Sequence, residues 1–302
     1  MEKPAAAITE AGTGIDTDAL LRLRHIVADA RRLGLRRTSA RPGAVATRRR
    51  GRGTEIDEVR LWSHGDDIRH IDRNSTARTG VPHVRTFRDE REQTTLLLAD
   101  FRPSMLFGTR RAFRSVAAAE ILALAGWAAL SAGGRVALLA LTGFEPVFVR
   151  PAAGERAMLR VIGGLQRAHA AAWASTAPEA PLDAALDIAA RALPRGGTLL
   201  VASGLDTPGP GLNDAVRRAV HRLDLHIAIV SDAFERAAPP GRYPFLTPEG
   251  VFGVRILAAA GNARPPDAVE ALRRLGAKVA VFAAELPPER HIQTLERLHA
   301  GG

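Results

Sequence analysis

Thr94-Thr95-Leu96-Leu97-Leu98-Ala99-Asp100 is a continuous apolar run that ends in a carboxylate. A run of this kind suits a strand buried on both faces. The pattern around it is α/β. An alanine-rich helix is expected from about 110 to 132, closed by Gly133-Gly134. Val136–Leu141 and Val147–Val149, joined across Thr142–Pro146, read as a hairpin. Helices near 154–169 and 181–193 then lead to Gly196-Gly197 and a strand over Thr198–Ser203. A helix near Leu212–Leu223 precedes a strand over Leu225–Val230, and Val251–Leu257 is a further strand. The chain closes with a helix near Pro266–Leu275, a strand over Ala277–Phe282 and a helix near Pro288–Leu298. Strands alternating with helices predict an α/β fold with a mostly parallel sheet covered on both faces. Sites in such folds sit at the carboxyl ends of the strands, which singles out the loops after Ala99, Ser203 and Val230.

Upstream the character differs. Asp16-Thr17-Asp18 offers N-cap oxygens, and Leu20, Leu23, Val27 and Ala30 follow at helical spacing, so an N-terminal helix is expected up to Gly34. Between Arg31 and Arg52 lie nine arginines and no acid, almost the whole of the formal net charge of +10. Such a segment can bind phosphate backbones or anionic surfaces, or it can be a solvated connector. No aromatic residue interrupts it to stack on bases, which makes nucleic acid the weaker reading. Like charges with few apolar neighbours also predict that 35–52 is mobile and cut first by trypsin. Residues 51–92 are polar, with short strands around Val59, Leu61 and Val84, Thr86 flanking a loop rich in Asp and Arg. The expected division is therefore 1–52, 53–92 and 93–302.

Composition removes many chemistries. The chain has 302 residues and no cysteine, which excludes disulfides, thiol nucleophiles and cysteine-held zinc. Its two lysines, Lys3 and Lys278, build no phosphate-binding Gly-x-x-x-x-Gly-Lys loop, and neither a Gly-x-Ser-x-Gly elbow nor a His-Glu-x-x-His helix occurs. The longest apolar stretch, Ile121–Gly134, has fourteen residues, against about 20 for a membrane span. No secretory signal is visible near Met1, so a cytoplasmic location is expected.

Gly53-Thr54-Glu55-Ile56-Asp57-Glu58-Val59-Arg60, Gly65-Asp66-Asp67-Ile68-Arg69-His70-Ile71-Asp72, Ala77-Arg78-Thr79-Gly80 and Val84-Arg85-Thr86-Phe87-Arg88-Asp89-Glu90-Arg91-Glu92 carry a long signature. Together with Ser104–Thr109 and the Tyr243-Pro244-Phe245 segment, it resembles the bacterial "domain of unknown function 58" family. Arg73 stands where that family usually has tryptophan. The resemblance implies a von Willebrand factor A-like (Rossmann-like) domain. It also implies partnership with a MoxR-type AAA+ ATPase, and no established enzymatic activity.

Domains of that type commonly hold Mg²⁺ through Asp-x-Ser-x-Ser after the first strand, with a Thr and an Asp from later loops. Here Asp100 and Ser104 match, Arg102 replaces the middle serine, Gly204 stands at the aspartate position, and Ala180-Pro181 replace the threonine. Mg²⁺ wants oxygen ligands, and a guanidinium beside Asp100 repels it while able to pair with the carboxylate. The expectation is a metal-free, degenerate adhesion site with Arg102 standing in for the ion's charge. The alternatives are an Arg102 turned to solvent and a retained ion.

In the charged loop, Asp66, Asp67 and Asp72 are expected to pair with Arg69, Arg78 or Arg88 in a structural network. His64, His70 and His83 with the same aspartates form the competing metal reading. Ser104 with His83 suggests hydrolysis only weakly, since no oxyanion donors are identifiable. Asp183 and Asp187 read as a solvated helix face, and of Trp62, Trp127 and Trp173 the middle one reads as core. The reading that results is a non-enzymatic adaptor without cofactor, meeting an acidic surface of its ATPase through fixed charges, Arg102 among them, and through the arginine segment. The alternative is a nucleic-acid or anionic-surface binder using 31–52, and a third is a hydrolase with an unrecognised site.

Overall fold

The computed structural model describes residues 12–32, 56–63, 66–87, 93–175, 179–246, 251–257 and 267–300. In chain order its elements begin with α1 (Thr17–Arg32), β1 (Ile56–Leu61), α2 (Arg73–Thr79), β2 (His83–Phe87) and β3 (Thr94–Asp100). There follow α3 (Arg114–Ser131), β4 (Arg135–Leu141), β5 (Val147–Ala152), α4 (Glu155–Trp173), α5 (Leu182–Ala192), β6 (Thr198–Ser203), α6 (Leu212–Val220) and β7 (Asp224–Ser231). The last are α7 (Ala233–Arg236), β8 (Gly241–Leu246), β9 (Phe252–Leu257), α8 (Asp267–Arg274), β10 (Lys278–Ala283) and α9 (Ile292–Ala300).

Every residue of β3 is buried, because both sides of the sheet are covered. Leu97 and Ala99 face one core, with α1, α3, α4 and α9, while Leu96 and Leu98 face the other, with α5, α6 and α8. The sheet has six strands in the order β10-β7-β6-β3-β4-β5. All neighbours are parallel except β5, which returns antiparallel along β4 as the expected hairpin. Helix α3 is apolar all round and so suits an interior position rather than a half-wet surface. By length and composition it is the one described helix able to cross a membrane, and 72% of it is buried within the fold. Its Trp127 is core, as read, and donates its indole N–H to the Leu20 carbonyl at 3.0 Å, tying α1 to α3. The N-terminal helix therefore belongs to the α/β unit rather than standing apart with the arginine segment.

The strand expected over Val251–Leu257 is present as β9, which pairs with β8 in a separate antiparallel ribbon. Pro244 lacks an N–H, which a two-stranded ribbon with open edges tolerates and a central strand does not. Asp183 and Asp187 are more than a solvated face. Asp183 accepts the Gly211 N–H at 2.9 Å, and Asp187 takes Arg218 at 2.7 Å, so both tie α5 to α6.

The second unit holds residues 56–63 and 66–87. β1 and β2 pair antiparallel, and Ile71 bridges to Val84. Asp66 pairs with Arg60 through two 2.8 Å bonds, not with Arg69 or Arg78. Asp67 instead accepts the Arg69 backbone N–H at 2.9 Å, and Asp72 caps α2 through the Ser75 N–H at 2.7 Å. Both aspartates precede a helical turn whose first N–H groups lack acceptors, and each caps that turn. Arg88 and His64 lie outside the described residues. Among the described residues no group of three or more His, Asp or Glu side chains is placed to share a metal ion.

Candidate functional site

From β3 the chain turns to β4 on one side, and it later returns to β6 on the other. The loops after β3 and β6 therefore diverge at the carboxyl end of the sheet, where such folds open a crevice. Asp100 ends β3 and Ser203 ends β6, both fully buried.

Arg102 lies over this point with 1% of its surface exposed. Its Nε and Nη2 donate to the two oxygens of Asp100, each at 2.7 Å. Its Nη1 donates to the carbonyls of Thr207, at 2.9 Å, and of Ala180. Ser203 donates its hydroxyl to Asp100 at 2.6 Å and accepts the Leu205 N–H at 2.9 Å. Leu205 carries a φ of 56°, a backbone strain beside the site. Burial alone would lower the Arg102 pKa. The hydrogen bond and charge of Asp100, with Glu179 and Asp206 behind it, outweigh burial and hold it above its ordinary value.

Glu179 closes the outer side. It accepts the Ser104 backbone N–H and hydroxyl, each at 2.9 Å, and lies 3.5 Å from Arg102 Nη1. A second buried cation, Arg114, opens α3 with its side chain 3% exposed. It pairs with Asp206 at 3.0 Å and Glu235 at 2.5 Å, and it donates to the Ser104 carbonyl. A cation in a first helical turn opposes the helix dipole, and these carboxylates offset that. Asp232 ends the row. Burial works against its charge, but Thr109 and the backbone N–H groups of Phe234 and Ala233 hold its carboxyl below the usual range. Phe107 stands at the crest, 38% exposed, with the Arg114 guanidinium 5.9 Å from its ring and Phe234 edge-on at 6.3 Å.

These residues do not fit a divalent cation. The guanidinium occupies the position next to both Asp100 oxygens, and Ser203 takes a further lone pair. At Gly204 a Cβ would lie 2.3 Å from Asp206 Oδ2 and 2.7 Å from Arg114 Nη1, so a side chain there would have to displace both. The hydroxyls of Ser104 and Ser203 donate to Glu179 and Asp100, carboxylates that the Arg102 guanidinium also engages. Against two arginines stand Asp100, Glu179, Asp206 and Glu235, so the crest is acidic on balance.

Asp100, Arg102, Ser104 and Gly204, read from the sequence, do come together. Arg102 is bonded inward rather than turned to solvent, and being buried it offers no charge to a partner surface, contrary to expectation. Glu179, Ser203, Asp206, Arg114 and Glu235 were not singled out. The signal available for Arg114 was a basic residue in the first turn of a core helix, a placement that needs nearby acids. Residues 33–52 of the arginine segment lie outside the described residues.

The family model described as "Protein of unknown function DUF58" matches residues 58–264. Uncharacterized protein Rv1480 of Mycobacterium tuberculosis and Uncharacterized protein Mb1516 of Mycobacterium bovis are each 36% identical over 127 residues. That is 40% of this chain and 39% of either relative, so the match spans about two fifths of the curated relatives' length. The crystal structure of the conserved hypothetical protein BatB from Bacteroides thetaiotaomicron aligns at 13% identity over 67% of this chain and 96% of that one, with a TM-score of 0.46. An aerotolerance-related membrane protein from Bacteroides fragilis aligns at 14% identity over 67% and 95%, with a TM-score of 0.44.

Proposed function

The chain belongs to the DUF58 family of proteins of unknown function, and on that footing we propose that it is a non-enzymatic interaction module. In this reading it is a von Willebrand factor A-like domain whose adhesion site has exchanged its ion for Arg102. It acts in the cytoplasm as an adaptor for a MoxR-type AAA+ ATPase. The observation that carries the reading is the buried Asp100–Arg102 pair at the switch point of the sheet. A fixed cation there keeps the crest in one shape without a metal. It also removes the mode in which a ligand carboxylate completes an ion's coordination shell.

Recognition then falls to what the crest exposes, namely the Phe107 ring beside a rim of carboxylates. Half-exposed aromatics next to fixed charges are the usual anchors of protein interfaces. The test is the affinity of the MoxR-type ATPase from the same genome for the full chain and for Phe107→Ala. The variant should bind about tenfold or more weakly, with an unchanged circular dichroism spectrum. Equal affinity would remove Phe107 from the interface, and no binding at low salt, with or without nucleotide, would overturn the adaptor reading.

A further inference from the structure

Far from the crest, β5 is the last strand of the six-stranded sheet, and no described strand pairs with its outer edge. A groove of about 710 Å³ runs along that edge. Phe148 and Arg150 of β5 bound it on one side, and Leu159, Arg160, Gly163 and Arg167 of α4 on the other. Phe148 is 50% and Leu159 47% exposed, so the groove shows apolar surface to water. Arg150, Arg160 and Arg167 are exposed, no acid lines the groove, and among the described residues none of the three makes an ion pair. A neighbouring cation behaves otherwise. Arg24 has the Glu155 carboxylate of α4 at 2.6 Å. Gly163 leaves a notch, with the Arg167 guanidinium 3.3 Å from where its Cβ would stand.

We propose that this groove binds an extended acidic segment of a partner protein, which adds to the sheet as a strand beside β5 with its carboxylates on Arg150, Arg160 and Arg167. An open edge presents a row of N–H and C=O groups that can template another strand, and flanking side chains then choose the sequence. The Phe148 and Leu159 surfaces take apolar residues, and the three exposed arginines select carboxylates. A second copy of this chain is a poor occupant, since antiparallel edge-to-edge pairing would bring arginine-bearing edges together. A nucleic-acid strand would use the cations but leave the carbonyls of the edge unpaired. Pro151, which lacks an N–H, limits pairing to a short stretch and suits transient binding.

The probe is a fluorescein-labelled hexapeptide, Glu-Val-Asp-Phe-Glu-Val, measured by anisotropy with the full chain. Binding should be saturable and weaken with salt. The double variant Arg160→Glu/Arg167→Glu should bind about tenfold or more weakly, with its thermal midpoint preserved because both side chains are exposed. The same peptide N-methylated at alternate residues should also lose binding, which tests strand pairing without touching the protein. A lysine-for-acid peptide should not bind, and Phe107→Ala should bind as the parent does, which separates this groove from the crest. Undiminished binding of the N-methylated peptide or to the double variant would overturn the proposal. So would absence of binding, or displacement by a single-stranded oligonucleotide of equal charge at lower concentration than by unlabelled peptide.

Discussion

Arg102 meets Asp100 through Nε and Nη2, each 2.7 Å from a different carboxylate oxygen, with both side chains 2% exposed or less. The pair is local in sequence yet central in space, because the turn after β3 folds the guanidinium back over the strand it has just left. Taking one partner away leaves the other as an uncompensated buried charge.

Arg102→Met should therefore lower the unfolding free energy by about 3–5 kcal/mol. Asp100→Asn/Arg102→Met, which removes both charges, should be less destabilised than Arg102→Met alone. Urea denaturation of the cycle reads this directly. A neutral Arg102→Met would mean that the pair is not buried in solution.

Glu179→Ala strips the Ser104 N–H and hydroxyl of their common acceptor. Orphaning such groups costs about 1–3 kcal/mol, and the thermal midpoint should fall accordingly. Glu179→Gln keeps an acceptor oxygen and should fall less.

Gly204→Asp adds a carboxylate to the loop after β6. Its Cβ would enter space held by Asp206 and Arg114. The variant should be destabilised and should show no rise in thermal midpoint on adding Mg²⁺. A Mg²⁺-dependent rise would show that Arg102 yields its place easily.

His169 lies buried with Nε2 3.0 Å from the Ser115 hydroxyl, and burial pushes its pKa from 6.5 down to about 4. The unfolded chain binds this proton more readily, so stability should be present above pH 6.5 and fall as the pH drops toward 4. The loss is worth up to about 3 kcal/mol from this group. Burial also lowers the pKa of His291, in the same sense. His169→Gln should flatten the slope of unfolding free energy between these pH values, and an unchanged slope would assign it elsewhere.

The parts legible in the sequence were those set by local pattern. The 94–100 run announced a strand covered on both sides, and the spacing of Leu20, Leu23, Val27 and Ala30 gave the buried face of α1. β8 was not legible, because Arg242 and Pro244 break the strand pattern that its ribbon accommodates. In the site, Asp100 and Arg102 could be paired on paper because only Phe101 separates them. Glu179 could not, because 75 residues separate it from Ser104 and only the tertiary fold joins them. Asp67 was assigned to an arginine side chain from charge alone, whereas the helical turn that follows it supplied a nearer donor.

The central claim is that the crest engages its partner with Arg102 in place of a metal. It is tested most directly by measuring binding of the full chain to the MoxR-type ATPase of the same genome, without nucleotide, in EDTA and then in excess Mg²⁺. The affinities should be the same, and Arg102→Met should bind more weakly than the parent chain only as far as its lost stability accounts for. Binding that disappears in EDTA and returns with Mg²⁺ would contradict the claim.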